Sequence, residues 1–112
     1  MPLGFVSSPT ATQVGRNEYD ISATLSGIPA GTESLSFRAA RNDGNPQKWI
    51  SFESTAGVCD LSGGDLVCKE LALGVREITL TGRVELPGAQ NYELTATIAG
   101  QAPVTQPFRY LP

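Results

Sequence analysis

The sequence predicts an all-β domain, an antiparallel sandwich or barrel of seven to eight short strands with Greek-key connections. Three observations carry that expectation. Apolar and polar residues alternate with a period of two in several separate runs, the mark of strands with one buried face. Turn formers fall between those runs, and the 112 residues include 12 Gly and 8 Pro. Charged residues are only 17% of the chain, against the roughly 25% of ordinary globular domains, and Ser and Thr take their place. A chain of this length forms one domain, residues 1–112, with one modest core.

The elements follow in order. Phe5 and Val6 suggest a first edge strand, blunted by Pro9. Tyr19, Ile21, Ala23 and Leu25 alternate with polar residues until Gly27 and Pro29 stop the strand. Leu35, Phe37 and Ala39 form the next, followed by the turn Arg41-Asn42-Asp43-Gly44-Asn45-Pro46. Residues 48–53 then place Trp49 on one face and Ile50 and Phe52 on the other. Ile78, Leu80, Gly82, Val84 and Leu86 form the longest run, closed by Pro87-Gly88. Tyr92, Leu94, Ala96 and Ile98 form another, and Val104, Phe108 and Tyr110 a last one that Pro107 confines in part to an edge. The one stretch of helix formers, Glu70 to Leu73, is ended by Gly74 after a single turn.

Cys59 and Cys68 bracket a Gly63-Gly64 pair. If the glycines form a two-residue hairpin loop, where both positions need positive φ, Ser62 pairs with Asp65, Leu61 with Leu66, and Cys59 with Cys68. The last is a non-hydrogen-bonded pair, with Cα atoms roughly 4.5 Å apart. That register predicts a disulfide beside both leucines and, with it, an oxidising compartment: extracellular, cell-surface or periplasmic.

The segment from Val58 to Cys68, followed by Leu71-Ala72-Leu73-Gly74 and the Thr-rich strand Ile78 to Val84, resembles a family of bacterial immunoglobulin-like repeat domains of surface proteins. Leu86-Pro87-Gly88-Ala89-Gln90-Asn91-Tyr92 is similar to the tyrosine corner of fibronectin type III and immunoglobulin domains. The resemblance implies an immunoglobulin-like sandwich that serves exported proteins as stalk, spacer or adhesive unit.

The inventory narrows the chemistry. There is no His, hence no usual general base or zinc ligand, and two thiols alone cannot fill a tetrahedral metal site. A net charge of −3 does not suit nucleic acid. No apolar run is long enough to span a membrane as a helix, and no signal peptide is visible. Asp60 and Asp65 flank the hairpin tip, and Glu18 and Asp20 fall on a solvent face, so paired-carboxylate catalysis is not expected. Asn42 to Asn45 offers oxygens to calcium but reads more simply as a turn. Trp49 falls where sandwich domains bury a tryptophan, and Tyr110 alone makes no sugar platform.

The expectation is therefore a non-enzymatic module of an exported or surface-anchored bacterial protein, one unit of a longer chain, without cofactor or metal. Its partners are neighbouring domains and, if it is adhesive, a surface protein or glycan. The candidate interaction loops are Arg41, Asn42, Asp43 and Asn45 in one turn and Ser62 and Asp65 at the hairpin tip. The alternatives are a carbohydrate- or ligand-binding module attached to a secreted enzyme, or a phage or pilus subunit that exchanges strands at an open edge.

Overall fold

The computed structural model describes residues 2–41, 46–88 and 91–111. They form eleven strands: β1 Gly4–Phe5, β2 Thr10–Gly15, β3 Glu18–Ser26, β4 Leu35–Arg41, β5 Trp49–Ser54, β6 Val58–Ser62, β7 Asp65–Lys69, β8 Glu77–Glu85, β9 Tyr92–Thr97, β10 Val104–Pro107 and β11 Arg109–Leu111. Two sheets pack as a sandwich. The first has the order β11-β2-β3-β8-β5, with β1 extending the β2 side of β3; the second has the order β10-β9-β4-β7-β6. Pairing is antiparallel except between β11 and β2, which run parallel.

Eleven strands stand where seven to eight are expected, for identifiable reasons. The last expected strand breaks after Pro107, so that β10 edges the second sheet and β11 the first. Strand β2 has no expected counterpart, because Ala11 alone among its residues is buried and no apolar alternation announces it.

Expected alternation and observed burial agree along the central strands. Tyr19, Ile21, Ala23 and Leu25 of β3 and Ile78, Leu80 and Val84 of β8 face Leu35, Phe37 and Ala39 of β4 and Tyr92, Leu94 and Ala96 of β9 across the core. Each large side chain buried this way stabilises the fold by about 1.5–3 kcal/mol. Strand β5 departs from its expected faces. The ladder shifts between Trp49 and Ser51, so Trp49 lies opposite Val84 while Phe52 lies opposite Gly82. This bulge consumes Ile50, which is exposed, and returns Phe52 to the core side beside Trp49.

The hairpin register is as expected from Val58↔Lys69 through Ser62↔Asp65, and both glycines have positive φ, +59° at Gly63 and +88° at Gly64. Cys59 and Cys68 are joined as a disulfide across Cα atoms 4.0 Å apart. Of the two leucines beside the disulfide, Leu66 is fully buried and Leu61 is 50% exposed. Strand β6 is the outermost strand of its sheet, so its inner face is not covered along its whole length.

The molecule measures 39 × 24 × 24 Å. Gly4 of β1 lies beside Ser26, at the end of β3 away from the hairpin tip. β11 runs parallel to β2 toward the opposite end, where the β2–β3 turn, Lys48, Glu85 and the hairpin tip gather. We call that end the hairpin pole.

Candidate functional site

The two loops singled out in the sequence meet at the hairpin pole. A Cβ on Gly64 would lie 2.8 Å from the ring carbons of Pro46, and Pro46 in turn bridges to Ala40 of β4. Close approach and a left-handed backbone thus both require glycine at position 64. Asn42, Asp43 and Asn45, and with them the calcium-turn reading, lie outside the described residues.

Arg41 and Asp65 are engaged in the framework of this pole. The Asp65 carboxylate receives two bonds from the Arg38 guanidinium, Nε to Oδ1 at 2.6 Å and Nη2 to Oδ2 at 3.2 Å. Pairing of β4 with β7 sets this up: Phe37 opposes Leu66, and the next residues along are Arg38 and Asp65. Arg38 carries no signal in the sequence, since nothing local shows that β4 neighbours β7. Ser62 is exposed at the tip.

Arg41 belongs to the tyrosine corner. Tyr92 is buried, and its hydroxyl donates to the Pro87 carbonyl. Arg41 Nε donates to the Tyr92 hydroxyl at 3.0 Å, Arg41 Nη2 donates to the Pro87 carbonyl at 2.8 Å, and the guanidinium stands 5.2 Å from the Tyr92 ring centre. Tyr92→Phe removes one donor and leaves Arg41 Nε without its acceptor. We expect a loss of about 1–2 kcal/mol in denaturant melts. Unchanged stability would show that the corner contributes nothing.

The outer face of the first sheet is a polar grid. Thr12, Asp20, Arg83 and Ser51 form one cross-strand row, and Thr10, Ser22, Thr81 and Glu53 the next. They line an open groove of about 650 Å³. Arg83 Nε donates to Asp20 Oδ1 at 2.8 Å, and this bond holds the Asp20 carboxyl below its ordinary range. Both partners are about half exposed, so the pair contributes little to stability. On the outer face of the second sheet, the Thr95 and Thr105 hydroxyls share a hydrogen bond.

The aromatic residues are otherwise placed. Trp49 is 4% exposed, and Tyr19 is buried edge-on to Tyr110 with ring centres 5.8 Å apart. Burial pushes the Tyr110 phenol up. Among the described residues, no three His, Cys, Asp or Glu side chains come together as metal ligands, and no helix is long and apolar enough to cross a membrane. Comparison with protein-family models finds no match, and comparison with curated proteins finds no relative.

Proposed function

We propose that this chain is a non-enzymatic, immunoglobulin-like module of an exported or cell-surface bacterial protein, acting as a spacer with the hairpin pole as its contact surface. The observation that carries this reading is the path of the chain. β1 lies at the end of β3 away from the hairpin tip, and β11 runs parallel to β2 toward the hairpin pole. Units joined in series then extend rather than fold back. The Cys59–Cys68 disulfide supports an oxidising compartment, and the hydroxyl-rich outer faces support a surface that stays solvated. Burial of Trp49 removes the best aromatic platform for a sugar ring, which weighs against the carbohydrate-binding alternative.

A tandem of two copies joined tail to head tests the reading by small-angle X-ray scattering. The maximum dimension should approach twice 39 Å. A compact, side-by-side particle would contradict the spacer role.

A further inference from the structure

The described residues form five edge strands, and four of them are poor templates for a further strand: β1 has only two residues. β5 carries a bulge at Ile50, β10 ends in Pro107, and β11 has three residues. Bulges, prolines and short lengths are the usual ways of blunting an edge. β6 has none of these: it is a regular five-residue ladder from Val58 to Ser62, held to β7 by its register and by the disulfide.

The register also shows which backbone groups are free. Val58, Asp60 and Ser62 occupy hydrogen-bonded pairs with β7, so their N–H and C=O groups point inward. Cys59 and Leu61 occupy non-hydrogen-bonded pairs, so theirs point away from the sheet, and no described strand pairs with them. Four backbone groups therefore stand open on a strand whose position is fixed covalently.

We propose that the β6 edge is a strand-addition site for an extended segment of another protein, with Lys or Arg opposite Asp60 and apolar residues on either side. Asp60 is exposed and has no ion-pair partner among the described residues. A second copy of this chain is disfavoured by the same residue. The antiparallel self-pairing that satisfies all four free groups sets Cys59 against Leu61 twice and Asp60 against Asp60, a directly opposed like-charge pair. A cation at that position turns the repulsion into attraction. The flanking residues fall on the side of Leu61, which is 50% exposed, so apolar side chains there extend the core outward. The inference stands on the edge geometry and does not depend on the spacer reading.

The test uses the oxidised full chain and two synthetic peptides at millimolar concentration, acetyl-Thr-Val-Lys-Val-Thr-amide and its Glu counterpart. Amide hydrogen exchange is followed by NMR. The Lys peptide should slow exchange at Cys59 and Leu61 at concentrations about three- to tenfold below those the Glu peptide requires. In Asp60→Lys, an exposed substitution checked for an unchanged melting temperature, the order should reverse. Failure of both peptides to protect these amides would overturn the proposal. So would equal protection by the two, or an order that survives Asp60→Lys. Protection that grows with protein concentration alone would replace it with self-association.

Discussion

Gly82→Ala should lower stability by about 1–3 kcal/mol, and Trp49→Ala by about 3–5 kcal/mol. Gly82 sits in the middle of β8, where glycine is ordinarily a weakness. A Cβ there would lie 2.6 Å from the Ser51 carbonyl oxygen, 3.2 Å from the Trp49 ring and 3.3 Å from the Phe52 Cα. Two of these three atoms are backbone, so the clash is relieved only by moving β5 off β8. The absent side chain is what lets the Trp49 ring lie across β8 at the bulge. Trp49→Ala leaves a large void in the same place. Because the two residues share one contact, the double variant should lose less than the sum of the single losses. Urea melts of the three variants check this. A Gly82→Ala protein as stable as the parent would mean that β5 is not seated as described.

The second large effect belongs to the disulfide. Replacing both Cys59 and Cys68 by Ser should cost about 2.5–3 kcal/mol, the chain-entropy value for a loop of this length. The loss should be concentrated in one strand. The side chains of β6 are mostly exposed, so without the cross-link little beyond the β7 ladder holds it. Hydrogen exchange should therefore accelerate first at Val58, Asp60 and Ser62, whose amides bond to β7, while β3, β4, β8 and β9 keep their protection. Uniform acceleration across both sheets would show that the cross-link supports the whole domain and not its edge.

How legible all this was in the sequence depends on the range of the interactions. The hairpin could be read to the residue, because a Gly-Gly loop fixes the register of everything paired outward from it. The tyrosine corner was readable for the same reason, since Pro87 and Tyr92 lie only five residues apart. Period-two alternation located the faces of β3, β4, β8 and β9 because each buries one face. It failed at β2, a strand that buries little more than Ala11, and at β5, where one bulge residue transferred Phe52 to the other face. At the hairpin pole, the turn and the hairpin tip were both legible as turns. Their meeting at Gly64 and Pro46 was not, nor were the roles of Arg38 and Arg41, whose partners lie 27 and 51 residues away in the chain.

Single-molecule stretching between Pro2 and Leu111 tests the proposed spacer, a disulfide-stapled sandwich whose first and last strands point to opposite poles. Pulling along this axis shears the parallel β11–β2 pair and the β1–β3 pair, so their hydrogen bonds resist together. Attachment at Arg16 and Leu111, both directed to the hairpin pole, unzips β11 from β2 one bond at a time. This strand geometry predicts a single rupture at clearly higher force in the first attachment than in the second. The disulfide also predicts that a thiol reductant lengthens the unfolded chain by about 30 Å, the span of the nine-residue separation between Cys59 and Cys68. Equal forces in the two geometries, or a contour length that reductant leaves unchanged, would contradict the proposed spacer.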